Sequence, residues 1–311
     1  MSSISKTAFN WLGCAAAGAV ALAMLAPARA EVYGAHAGAP AATAAAALAV
    51  AAPPTRPAPV DLAKPAALPQ AAAPLQNSQL SCGAPPEFTR LNYPLRHAAR
   101  RLASGEPLTI VAVGSSSTAG AGASSPAASY PSRLAVELKQ RFPGHDITVL
   151  NRGVNGDETE QMIARFATGV IAAHPDLVLW QVGTNSVLRD YPLKPHSVLL
   201  REGIAQLKEA GADVVLIDMQ FAPRVLAKPE TQGMEDQIAL AAKDENIDLF
   251  RRFALMRNWH EVEHIPFDAF VAPDELHMND WSYACVAKLL AAGIAEAATR
   301  PVASAAAHSP H

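Results

Sequence analysis

The sequence predicts an α/β fold: a three-layer α/β/α domain on a five-stranded parallel sheet. Three observations lead there. Short β-rich runs alternate with longer helical stretches through residues 81–300. The short runs are apolar throughout, as strands covered on both faces are, and lack the polar alternation of a half-exposed sheet. Strand and helix repeat five times, a pattern that calls for right-handed crossovers placing helices on both faces of one sheet.

Residues 1–30 carry Lys6, then the apolar run from Trp11 to Leu25, then Ala28-Arg29-Ala30. A cation, a short apolar core and a small-residue site read as a signal peptide cleaved after Ala30. A retained anchor would need about 20 consecutive apolar residues, and Pro27 and Arg29 interrupt the run too soon. Residues 31–80 are expected to be a disordered linker. From Ala35 to Pro74 they are mostly Ala and Pro, without the large side chains needed to offset chain entropy. The tail 301–311 is expected to be disordered as well.

Strands are expected at Leu108–Val113, Ile147–Leu150, Asp176–Val182, Asp213–Met219 and Ile247–Phe250. Helices are expected at Tyr130–Phe142, Glu158–Ala173, His196–Ala210, Met234–Glu245 and Asp280–Ala298, with Gly211 and Pro143-Gly144 as stops.

Charge narrows the possible partners. The formal net charge is −3. Losing residues 1–30 removes Lys6 and Arg29 and no acid, which leaves −5. The remaining cations are scattered among acids, so no nucleic-acid footprint is present. Cys82 and Cys285 stand at the two ends of the region expected to fold. Such a pair can form a disulfide in an oxidising compartment; two unrelated thiols, with Cys285 buried on a helix, are the alternative.

In open parallel sheets ligands sit at the carboxyl ends of the strands, so the strand exits are where chemistry is expected. The first exit is Gly114-Ser115-Ser116-Ser117-Thr118-Ala119-Gly120, which can place a hydroxyl at a cleft mouth and lacks the Gly-Lys-Ser/Thr ending of a phosphate loop. The second, Asn151-Arg152-Gly153-Val154-Asn155-Gly156-Asp157, offers Gly153 for close backbone approach. The third, Gly183-Thr184-Asn185-Ser186, offers an amide. Before the last helix comes Asp274-Glu275-Leu276-His277, where a carboxylate three residues ahead of an imidazole can fix its tautomer. Singly, each is as well explained by an ordinary turn or cap.

Together and in this order, the four segments resemble the blocks of the SGNH, or GDSL-like, hydrolases. Gly114-Ser115-Ser116-Ser117-Thr118 is similar to the family's Gly-Asp-Ser-x-Thr, Gly153 to its second-block glycine, Gly183-Thr184-Asn185 to Gly-x-Asn, and Asp274 with His277 to Asp-x-x-His. Ser115 departs from the usual acid, and Ser186 from an acid often found after the third-block Asn. The resemblance implies a flavodoxin-like strand order 2-1-3-4-5 and a Ser116–His277–Asp274 triad. It also implies an oxyanion hole of Ser116 N–H, Gly153 N–H and the Asn185 amide, with no cofactor or metal.

For function, the resemblance implies an exported, periplasmic or secreted serine ester hydrolase acting on a small acyl ester such as an O-acetyl group on carbohydrate. Alternatives are a lysophospholipase or thioesterase, a polysaccharide O-acetyltransferase, and a non-catalytic glycan-binding module on the same fold. Elsewhere, His260 and His264, with Glu261 and Glu263, form an i, i+4 pair on a stretch expected to be helical; a metal site there lacks a third ligand. Trp180 reads as core. The loop Phe221–Gly233 reads as either a pocket wall or a solvated connection.

Overall fold

In the computed structural model, which describes residues 80–300, the strands form one parallel sheet of order β2-β1-β3-β4-β5. They are β1 (Leu108–Gly114), β2 (Ile147–Gly153), β3 (Leu177–Gln181), β4 (Asp213–Ile217) and β5 (Asp248–Phe250). The expected signal peptide, the tail and all of the linker except Leu80 lie outside the described residues.

The physical basis of this order is visible in burial. Every residue of β3, and all of β1 except Thr109, is buried, as central strands require. β2 at the edge keeps most of its residues partly or fully exposed. β1 pairs with β2 from Leu108 opposite Ile147 to Gly114 opposite Gly153, so both strands end on glycine at the same level.

Among the described residues twelve α-helical segments connect and cover the sheet. The first two, α1 (Pro86–Thr89) and α2 (Arg96–Ser104), precede β1. After β1 come the single turn α3 (Ser116–Ala119) and α4 (Tyr130–Arg141). α5 (Thr159–Ala164) follows β2, and α6 (Thr184–Leu188) and α7 (Leu193–Glu209) follow β3. α8 (Pro223–Leu226) and α9 (Thr231–Asp244) follow β4; α10 (Arg252–Glu261), α11 (Phe267–Phe270) and α12 (Asp280–Thr299) close the chain. α12 packs on α4 and α2, while α7 packs on α5 and α9. Trp180 of β3 is fully buried, with its indole N–H 3.3 Å from the Met162 sulfur.

Two differences from expectation have local causes. The helix expected over Glu158–Ala173 stops at Ala164 and continues as a wide turn over Phe166–Val170 and a tight one over Ile171–Ala173. There Arg165 is drawn sideways onto Asp157 Oδ2 at 2.7 Å and Gly114 O at 3.0 Å, and Gly169 weakens the helical propensity of the next turn. The second difference concerns the histidine pair. α10 ends at Glu261, and His264 lies beyond it with a left-handed φ of 55°, so the two rings do not share a helix face. His260 stacks on Phe267 at 4.0 Å and its Nδ1 faces Ile265 O.

Cys82 and Cys285 are disulfide-bonded, with Cα atoms 5.4 Å apart. The bridge fastens the segment ahead of α1 to the second turn of α12. Among the described residues no helix is long and apolar enough to cross a membrane.

Candidate active site

The serine run turns sharply off β1 because its neighbours leave room only for glycine. A side chain at Gly114 would stand 2.2 Å from Thr118 Oγ1, and one at Gly153 only 2.1 Å from Ala119 N. With both positions bare, α3 folds back over the ends of β1 and β2. Ser115 precedes the turn, and its N–H and hydroxyl both donate to Gln181 Oε1, at 2.9 and 3.0 Å. A serine standing where the related block has an acid is thus held by a buried amide from β3.

Ser116 begins α3 and is 9% exposed. Its Oγ lies 2.8 Å from His277 Nε2. The other ring nitrogen of His277, Nδ1, is hydrogen-bonded to Asp274 Oδ2. Asp274 Oδ1 also accepts from the backbone N–H of His277 at 2.9 Å and of Leu276 at 3.1 Å. Burial opposes the Asp274 charge, but the ring and the two N–H groups outweigh it and hold the carboxyl below its ordinary range. The imidazole therefore has its Nδ1 proton fixed toward a carboxylate and its Nε2 lone pair presented to Ser116, a geometry suited to taking a hydroxyl proton.

The loop bearing Asp274 and His277 is held from two sides. Ala272 N donates to His277 O at 2.7 Å, and Arg224 N, from the turn after β4, donates to Glu275 O at 3.1 Å. The Phe221–Gly233 segment thus braces this loop through Arg224. Pro223 from the same segment joins Phe267, Val271 and Pro273 in lining a hollow of about 440 Å³ beside Asp274, with Asp268 and Glu275 also on its wall.

The three expected oxyanion donors differ in how free they are. Ser116 N–H makes no hydrogen bond among the described residues. The Asn185 amide spends one of its two hydrogens on Asp157 O at 2.9 Å and keeps the other. The Gly153 N–H, by contrast, is taken by the Asn151 side chain at 2.9 Å. The sequence singles out Gly153 for close backbone approach, and that approach is made to the Thr118–Ala119 peptide. On the same loop Gly156 N–H is unpaired among the described residues, and Gly156 O accepts from Arg189 at 2.8 Å. The Asn155-Gly156 pair, a turn signal, is the clue the sequence offers to this position.

A second hollow, of about 390 Å³, is lined by Tyr93, Arg96, Lys208, Asp213 and Asp248 at the amino ends of β4 and β5. It is at the opposite edge of the sheet, and no Ser, Thr or Cys lines it. Among the described residues no group of three His, Cys, Asp or Glu is arranged to hold a metal.

A parallel sheet in this order, with a serine, a histidine and an aspartate at its carboxyl edge, is the architecture of the SGNH hydrolases. The model of the non-GDSL lipase-like family matches residues 81–300, most of the chain, and the protein belongs to that family. An arylesterase from Vibrio mimicus is 36% identical over 95 residues, 30% of this chain. That stretch spans less than half, 46%, of the arylesterase. The fold is similar to that of a two-domain esterase active on acetylated mannans, with TM-score 0.58 and 22% identity over 68% of this chain and 56% of that one. It is also similar to Axe2, an acetylxylan esterase from Geobacillus stearothermophilus, with TM-score 0.53 and 19% identity over 60% of this chain and 94% of that one.

Proposed function

We propose that this protein is an exported serine ester hydrolase acting on short acyl esters, in particular O-acetyl groups on carbohydrate. The observation that carries the reading is the 2.8 Å approach of Ser116 Oγ to His277 Nε2, with Asp274 on the far side of the ring.

In this reading His277 takes the Ser116 proton as Oγ attacks the ester carbonyl. The oxyanion is met by Ser116 N–H and the free hydrogen of Asn185. The third donor from the β2 exit is Gly156 N–H, because Gly153 N–H is already engaged. His277 then protonates the departing alcohol, leaving an acyl-serine. Water, deprotonated by His277, attacks this acyl group and releases the acid and free Ser116.

Three further observations support the finer points. The fold neighbours include esterases of acetylated mannan and xylan. The hollow beside Asp274 offers carbon-rich walls from Pro223, Phe267 and Pro273 together with two carboxylates, a combination that suits a sugar's C–H face and hydroxyls. Export is supported by the character of residues 1–30 and by the Cys82–Cys285 bridge.

The test is fluorophosphonate labelling of wild type and Ser116→Ala, followed by p-nitrophenyl esters of increasing chain length and an acetylated oligosaccharide. Labelling and turnover lost in Ser116→Ala, with rates falling steeply beyond short acyl groups, is the expected result. Undiminished rates on long chains would indicate a lysophospholipase or thioesterase instead. Transfer to sugar in excess of hydrolysis would indicate an acyltransferase, and absence of labelling in wild type a binding module.

A further inference from the structure

Two of the groups assigned above to the reaction leave the sheet from different strands. Ser116 stands on α3 after β1, and Asn185 on α6 after β3. Their separation decides whether an oxyanion formed at Ser116 meets the Asn185 amide, and neither is hydrogen-bonded to the other among the described residues. A buried side chain from a third strand exit links their neighbours.

Gln220, just beyond β4, is fully buried. Its Oε1 accepts from Ser117 Oγ at 3.2 Å, from Thr184 Oγ1 at 3.0 Å and from Arg252 Nη2 at 3.1 Å. Ser117 is the residue after Ser116, and Thr184 the residue before Asn185. Arg252 is also fully buried, and its Nη2 donates again to Asp218 O at 2.6 Å. A guanidinium has donors only, so the Gln220 atom facing it must be the oxygen, which settles the amide orientation. The charge of Arg252 strengthens that acceptor and favours one carbonyl oxygen gathering three donors.

We infer that Gln220 is a positioning residue, a bridge that sets the nucleophile turn and the Asn185 turn at a fixed distance, with Arg252 locking the bridge in place. Nothing in the sequence marks Gln220, which lies beyond β4 in the run Asp218-Met219-Gln220 without any block pattern. The inference rests on the serine-esterase reading. It predicts an effect on the chemical step, because a bridge of this kind does not touch substrate.

The experiment compares Gln220→Met, which keeps the volume and removes the acceptor, with Gln220→Glu, which keeps an acceptor oxygen opposite Arg252. Both are assayed on p-nitrophenyl acetate well below their melting temperatures. For Gln220→Met, kcat is expected to fall about 10- to 100-fold with KM changed by less than about threefold, while Gln220→Glu stays within about fivefold of wild type. A folded Gln220→Met with wild-type kcat, or equal losses in both variants, overturns the inference.

A second set keeps the test decisive if Gln220→Met does not fold. Ser117→Ala and Thr184→Val each cut one arm of the bridge and leave Gln220 and Arg252 in place. Each is expected to lower kcat, and the double variant to be no slower than the slower single one, since either cut opens the bridge. Losses that multiply, or no loss, overturn the inference. If wild type is neither labelled by fluorophosphonate nor active on any ester, the esterase reading fails and takes this inference with it. Ser116-dependent activity that ignores the bridge variants defeats the bridge alone.

Discussion

Gly153→Ala tests the packing that carries Ser116, the proposed nucleophile. The added methyl would stand 2.1 Å from Ala119 N, 2.6 Å from Thr118 C and 2.7 Å from Ala119 Cα. All three are backbone atoms, so no side chain can swing aside to relieve the clash. An ordinary contact is about 3.5 Å, so β2 and α3 must separate by about 1 Å or more. Overpacking of this kind costs about 1 to 3 kcal/mol, or a fall in Tm of about 2 to 12 °C for a domain of this size. The effect on catalysis should be larger than the effect on stability. Ser116 opens the displaced turn, and moving its Oγ by about 1 Å would stretch the 2.8 Å contact with His277 beyond hydrogen-bonding range. A misplacement of that size typically costs about 100-fold in rate. Thermal melts and p-nitrophenyl acetate kinetics on the same preparation read both effects. A variant with wild-type Tm and kcat would show that the turn does not rest on Gly153 as described.

Three other predictions concern separate parts of the molecule. Cys82→Ser opens a loop closed across 203 residues, and chain entropy puts the loss at about 5 kcal/mol; urea unfolding with and without reductant checks it, and a reductant-insensitive wild type would contradict it. Asn185→Ala removes a proposed oxyanion donor and should lower kcat by about 100- to 1000-fold with little change in KM, measured by steady-state kinetics. Burial of His196 pushes its pKa down to about 4, so the folded protein holds this ring neutral. Its contribution is complete above the ordinary histidine value of about 6.5 and is lost as pH falls through about 4, a total of about 3 kcal/mol. His196→Gln should therefore destabilise less at about pH 4 than at about pH 7, and a pH-independent difference in urea midpoints would refute the assignment.

The fold class is written in local pattern, because five apolar runs separated by helical stretches admit few arrangements other than a covered parallel sheet. Local pattern also marks the segments proposed to carry chemistry, since the serine run, Asn185 and Asp274-x-x-His277 are each short and local; singly each reads equally as a turn or cap, and only their shared order points to a site. Helix ends were legible to within a few residues, except after Glu158, where the pull of Arg165 on Asp157 and Gly114 includes a long-range contact. The remaining features came only with the folded chain. Folding closed the disulfide between residues far apart in sequence, and it engaged Gly153 N–H with Asn151 while leaving Gly156 N–H unpaired among the described residues. It also buried Gln220 against Ser117, with Arg252 bonded to it. The physical reason is common to all of these. Periodicity and turn chemistry act over a few residues, whereas a buried donor or acceptor finds its partner only after distant strand ends have been brought to one edge of the sheet.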